Sequence, residues 1–381
     1  MPQIPLNVST SDYGYLRTID YSHLLLDPKR QLTYRDMDQQ WRLGNFEQPR
    51  NRHAGQGLTR HPTWTRFTLH NDSEATQHLV LEYIDHALPQ LDLYSRAIEY
   101  PILEHHGQRS IYQRYSGNPG KHSRYYFPVT MSPGEARIFY ARIGFQNIAA
   151  LYPDMRIWQA HEFDNFRYRE AFALGSFVGY LGLIFLLALV LLFVFKQGYW
   201  ATFAAFVASS AFAWGGATGF LPALVFVEGF HWKYKVIAAA FSVSLAAQFS
   251  RQLLQTSQTL PRFDWAIIGL ALFGIIPVAA SVTEYSHIAL PALQLQLIGV
   301  GILMIAGYLC ANQGNSIAIG FTLIWSLYVV ALTIHPMRDL GLLDNTLGTY
   351  WLGALLTALE LTLLLGLSLY CSLRQRHTLE Y

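Results

Sequence analysis

The chain has 381 residues, 52% of them hydrophobic, with 27 Lys/Arg against 25 Asp/Glu and a formal net charge of +2. That balance excludes a basic nucleic-acid surface, and no nucleic-acid partner is expected. The averages conceal a division: residues 1–165 carry 17 Lys/Arg and 17 Asp/Glu, whereas the longer remainder carries only 10 and 8.

The N-terminal stretch MPQIPLNVSTSDYGYL has no apolar run of the length an export signal requires. Either a precursor starts upstream of Met1 or the first half is not exported. Between about residue 60 and residue 160, β-rich runs recur with turn chemistry between them: Thr63 to Leu69, Leu79 to Ile84, Leu91 to Tyr94, Arg124 to Val129, Ala136 to Ile143 and Met155 to Trp158. Alternation in Leu79, Leu81 and Tyr83, and a hairpin-like Ser132-Pro133-Gly134 turn, predict antiparallel pairing. Many short strands without an amphipathic helix argue for an all-β jelly roll or sandwich over residues 1–165.

No catalytic constellation with diagnostic spacing occurs in this half, and neither a cofactor nor an enzymatic activity is expected. Ten of the fourteen histidines lie before residue 165, including the pair His105-His106, yet none shows metal-ligand spacing, and a solvated loop is the plainer reading. Trp64, Tyr83, Tyr94, Tyr125 and Tyr126 supply rings that could stack on a sugar. Core packing is the competing reading for each.

From Ala171 to Phe195 the sequence runs for twenty-five residues without a charge, about 37 Å as a helix, enough to cross a hydrocarbon core of roughly 30 Å. Six further spans are expected at Tyr199 to Leu221, Val236 to Leu254, Trp265 to Val282, Ile288 to Cys310, Ile317 to Ile334 and Tyr350 to Leu373. Together they predict an all-α seven-helix transmembrane bundle over residues 166–373, with a short cytoplasmic tail at 374–381. Both cysteines, Cys310 and Cys371, fall in these apolar segments, so no disulfide framework is expected.

Charge bias does not orient the bundle. With the N-terminus outside, the inner side holds Lys196, Arg251, Arg262, Arg374 and Arg376, and the outer side Arg167, Arg169, Lys233, Lys235 and Arg338. Glu360 stands alone in the middle of the last span, where a charge is costly; Gln248 and Arg251 lie near one end of the third. A hydrogen-bonded tie is the favoured role for Glu360 over an ion pathway, because one carboxylate does not make a relay. His231, His287 and His335 fall in loops on the face shared with the first half, near Glu228, Glu284, Asp339 and Asp344, and are weak candidates for a metal or proton site.

A β domain running directly into seven spans resembles the bacterial seven-transmembrane receptors with diverse intracellular signalling modules. The supporting strings are LLLDPKRQLTYRDM (24–37), WTRFTLHNDS (64–73), LDLYSR (91–96), RYYFPVTMSPGEARIFYARI (124–143) and ALELTLLLGLSLYCSLRQR (358–376). The resemblance implies a periplasmic, carbohydrate-binding-like sensory domain, a place in the bacterial inner membrane, and a C-terminus in the cytoplasm. It implies architectural roles for Trp64, Arg66 and Asn71 in the sensory strands and for Glu360 in the last helix. It also implies a partnership with a signalling module of the histidine kinase or diguanylate cyclase type, for which the eight residues after Leu373 leave no room. The expected function is therefore reception of a small-molecule or glycan signal, with a transporter or intramembrane enzyme in the bundle as the alternative.

Overall fold

The computed structural model describes residues 6–8, 14–49, 56–83, 90–100, 102–109, 124–144, 149–221, 230–339, 342–344 and 346–379. Its strands are β1 (Leu6–Asn7), β2 (Tyr15–Arg17), β3 (His23–Leu26), β4 (Leu58–Thr59), β5 (Thr63–His70) and β6 (Gln77–Tyr83). They continue with β7 (Gln90–Ala97), β8 (Glu104–Arg109), β9 (Tyr125–Met131), β10 (Ala136–Gly144), β11 (Ala149–Ala150) and β12 (Met155–Gln159). A six-stranded sheet has the order β1-β5-β10-β7-β8 with β3 also on the edge of β5; a four-stranded sheet has the order β2-β12-β6-β9. All six expected runs are strands.

The strand period of two makes this a sandwich. Phe67, Leu69, Leu91, Leu93 and Phe139 of the larger sheet share one buried cluster with Leu79, Leu81, Tyr83, Tyr125 and Phe127 of the smaller. The Ser132-Pro133-Gly134 turn is not a hairpin. It carries the chain from β9 in one sheet to β10 in the other, because turn chemistry reverses a chain without specifying which sheet receives it. Asn71 fixes this crossover: its Nδ2 donates to the carbonyls of Ala75, Met131 and Ser132 at 2.9, 3.1 and 2.9 Å, an architectural role.

Between β3 and β4 lies one short helix, α1 (Met37–Arg42). After β12 come α2 (Ala160–Phe195), α3 (Gly198–Ala217), α4 (Trp232–Leu254), α5 (Pro261–Phe273), α6 (Ile275–Val282), α7 (Ser286–Gly299), α8 (Gly301–Asn312), α9 (Ser316–Asp339) and α10 (Leu347–Leu379). Counting α5–α6 and α7–α8 as one rod each, the described residues form seven helical rods, one near each expected span. Five of these rods are long and apolar enough to cross a membrane. The other two, α3 and α4, bury Trp200, Phe203, Phe206, Val243 and Ala247 among neighbouring helices. A helix enclosed by helices meets less lipid, so it tolerates small and polar residues such as Ser210 and Ser242, whose hydroxyls meet at 2.7 Å. Gly274, at the α5–α6 break, has no room for a Cβ beside Ser244 and Gln296.

The chain divides into two compact units, one of residues 1–173, 218–230 and 337–345, the other of residues 174–217, 231–336 and 346–381. The first turns of α2 belong to the sandwich unit, so residue 165, the expected end of the first domain, falls within a continuous helix. Phe230, from the segment between α3 and α4, is buried in the same cluster as the sandwich core.

Candidate functional site

The outer face of the six-stranded sheet carries polar and aromatic residues where the inner face carries Phe and Leu. Antiparallel register sets them in rows, since directly paired residues share a face. Trp64 of β5 pairs Arg142 of β10, which pairs Asp92 of β7. One step along, Arg66 pairs Tyr140, Tyr140 pairs Tyr94, and Tyr94 pairs His105 of β8 across a bulge.

Half of this face is closed. The segment from Tyr34 to Arg42 lies over it, with the Arg66 guanidinium 3.8 Å from the Trp41 ring. The Tyr140 hydroxyl donates to Asp38 Oδ1 at 2.7 Å and accepts from Arg66 Nε at 3.3 Å; Arg96 Nη2 reaches Asp38 at 3.0 Å. Burial first, then the bond to Asp38, pushes the Tyr140 hydroxyl up to about 12. For Asp38, burial acts upward, but the hydrogen bonds from Tyr140 and Arg96 outweigh it and hold the carboxyl below its usual range. This network fastens the α1 segment to the sheet.

The other half is a partly open platform. Tyr94 stacks on Tyr34 with centroids 4.9 Å apart and on His105 at 4.6 Å, and Trp64 stands 6.1 Å away. Beside the rings, Asp92 accepts from Gln90 Nε2 at 2.8 Å and lies 3.9 Å from His105 Nε2, while the Arg142 guanidinium lies 5.9 Å from the Trp64 ring. Such a surface can receive the flat face of a ring and hydrogen-bond the groups at its edge.

Asp92 is only 6% exposed, and burial raises its carboxyl above the usual range despite the Gln90 hydrogen bond and the nearby Arg142. A raised folded value contributes stability at acid pH that is lost as pH rises through that value. Asp92→Asn is therefore expected to be more stable than the parent at neutral pH and to lack this acid-range slope. Unfolding of the full chain at pH values from about 4 to 7 checks it.

The five rings singled out in the sequence separate into three places. Tyr83 and Tyr125 pair across β6 and β9 and point into the sandwich core. Tyr126 lies on the outer face of the smaller sheet, 5.1 Å from Phe163 of α2. Only Trp64 and Tyr94 come together, and Trp64 is 1% exposed beneath the platform. Tyr34, Asp92, His105 and Arg142 complete the site. Asp92 and Tyr94 are two apart on one strand, which was a readable signal; Tyr34 and His105 arrive from other segments. His106, next to His105, faces the other way, with Nε2 2.7 Å from the Ser95 hydroxyl.

A second constellation joins the smaller sheet to α2. Arg124 Nε donates to Glu170 Oε2 at 2.6 Å and its Nη2 donates to Glu170 Oε1, a bidentate fork, while Nη1 donates to Glu82. Glu82 also accepts from Trp158 Nε1 at 2.6 Å and has Arg156 at 3.7 Å. Trp158 stacks on Phe166 of α2 at 4.7 Å. Two guanidinium groups and two carboxylates are thus buried as a charge-balanced cluster holding the first turns of the helix that becomes the first span.

In the bundle, Glu360 is fully buried, Gln248 is half-buried on α4, and Arg251 Nε bonds both oxygens of Asp264 at 2.8 and 2.9 Å. His231 caps α4 and lies 3.8 Å from Glu284, and His287 is exposed. Glu228 and the side chains of His335 and Asp339 lie outside the described residues. Among the described residues no group of three metal-ligating side chains converges.

Two family models match the chain. One, described as 7TMR-DISM extracellular 2, matches residues 20–159; the other, described as 7TM diverse intracellular signalling, matches residues 170–376. No curated protein matches it.

Proposed function

The chain belongs to the seven-transmembrane receptors with diverse intracellular signalling, and from that membership we propose that it senses a small, carbohydrate-like molecule on the periplasmic side of a bacterial inner membrane. It is a multi-pass membrane protein of receptor type with an extracellular sensor. The observation that carries the ligand reading is the stack of Tyr34, Tyr94 and His105 beside the Asp92–Gln90 pair and Arg142. A sugar offers an apolar ring face to such a stack, and vicinal hydroxyls to a carboxylate, an amide and a guanidinium.

Binding there passes to the spans through the sandwich unit's own connections. The Arg124 fork grips α2, and Phe230 ties the segment between α3 and α4 into the core. A ligand shifts the bundle only by its differential affinity for two states, about 1.4 kcal/mol for each tenfold. The inner face, with the tail bearing Arg374, Arg376 and His377, then presents that difference to an intracellular signalling module of the histidine kinase or diguanylate cyclase type.

This reading requires the N-terminal unit outside and the C-terminus inside. A fluorescent protein that matures only in the cytoplasm, fused after Tyr381, is expected to glow, and a phosphatase active only in the periplasm is expected to be silent there. The reverse pattern would overturn the receptor reading.

A further inference from the structure

The geometry assigns Glu360 as the binding site of a small monovalent cation, a proton or a sodium ion, in the interior of the bundle. The side chain lies on α10 with no exposed surface, and neither carboxylate oxygen has a hydrogen-bond partner among the described residues. No Lys, Arg or His forms an ion pair with it there. Tyr328 of α9, itself buried, is the titratable side chain within electrostatic range. On the same stretch of helix, Leu361 and Leu364 are buried, and Thr357 spends its hydroxyl on the Gly353 carbonyl at 3.0 Å.

An ionised carboxylate in such a setting is the most expensive group a protein interior can hold, and interiors hold it only when it is neutralised. A structural tie, the role expected of this residue, requires a donor, and none is present among the described residues. Two other polar groups on these helices are in the same condition. Ser368, two turns along α10, and Trp325 of α9 are fully buried, and Ser368 Oγ and Trp325 Nε1 have no partner there. Buried polar atoms without partners thus recur among the described residues of α9 and α10, and Glu360 supplies the only carboxyl of these. A bound proton makes Glu360 a neutral acid; a bound sodium ion neutralises it and draws oxygen ligands. Either satisfies the charge, and both would be lost from any bundle state that hydrates the site, so cation occupancy and bundle state are reciprocally linked. This inference does not depend on the receptor reading.

The test uses the full chain in lipid nanodiscs, comparing the parent with Glu360→Gln, which keeps shape without charge. Melting temperature is read against pH at fixed sodium, and against sodium replacing choline chloride at fixed pH and ionic strength. A ligand that binds only the folded state raises stability with concentration, about 3 °C for each tenfold above its dissociation constant. The parent is expected to melt higher as pH falls if the occupant is a proton, or as sodium rises if it is sodium; Glu360→Gln is expected to lose the sodium response, or to keep only the shallower pH slope that groups such as Asp92 supply. A parent flat on both axes, or a variant with the parent's slope, would overturn the assignment. Should Glu360→Gln not fold, carbodiimide labelling of the parent decides: modification of Glu360 that declines with rising pH or with sodium supports the site, and absent or indifferent modification rejects it.

Discussion

Replacing Arg124 with Met is expected to destabilise the sandwich unit by about 3–5 kcal/mol and to lower its melting temperature by on the order of 10 °C. The substitution removes the one fork that holds Glu82 and Glu170 together and leaves two carboxylates facing each other in a buried site. Arg156 lies 3.7 Å from Glu82 and can offset part of that carboxylate's charge. The loss belongs to the unpaired charges more than to the worth of the pair, so the double replacement Arg124→Met with Glu170→Met should recover most of it. Glu170 sits on α2 before the first span, so the single variant is also expected to loosen the hold of the sandwich on that helix. Thermal unfolding of both variants, full length in nanodiscs, checks this; a single variant as stable as the parent would show that the cluster bears no load.

The same cluster marks where the sequence stops being readable. The strands were legible because Phe67 and Leu69, and Leu81 and Tyr83, alternate with polar residues, and the spans because Ala171 to Phe195 contains no charge. The stretch from Ala160 to Glu170, however, reads as a polar flank, with His161, Glu162, Asp164, Arg167, Arg169 and Glu170 in eleven residues. It is helical because Phe163 and Phe166 pack on Tyr126 and Trp158, and because Glu170 finds a guanidinium 46 residues away in sequence. Tertiary partners of that separation leave no periodic trace.

β8 was missed for a related reason: Glu104 to Arg109 is a polar edge strand without a hydrophobic face. That omission hid His105, and with it the platform, since Tyr94 stacks on rings from β8 and from the segment before α1. Burial settled the remaining rings. Tyr83 and Tyr125 stand on the inward parity of their strands, and parity is knowable from sequence only once the sheet's inner face is known. Glu360 was legible as a lone carboxylate, but its lack of a donor was not, because that depends on what α9 presents to α10.

The platform carries the second large effect. Tyr94→Ala is expected to weaken ligand binding at least tenfold, about 1.4 kcal/mol, because it removes the ring on which Tyr34 and His105 both stack. Tyr94→Phe keeps the ring and is expected to bind within about threefold of the parent, since the stack rather than the hydroxyl does the work. Tyr126→Ala, which alters an aromatic of the opposite sheet, is the control and is expected to bind as the parent does.

The measurement that tests the account most directly is calorimetry of the folded full chain in nanodiscs against a panel of mono- and oligosaccharides, run on the parent, Tyr94→Ala and Tyr94→Phe. At least one saccharide is expected to bind the parent and Tyr94→Phe and to be lost from Tyr94→Ala; a folded parent that binds none of them, or a bound saccharide indifferent to Tyr94→Ala, would rule out the platform as the sensory site.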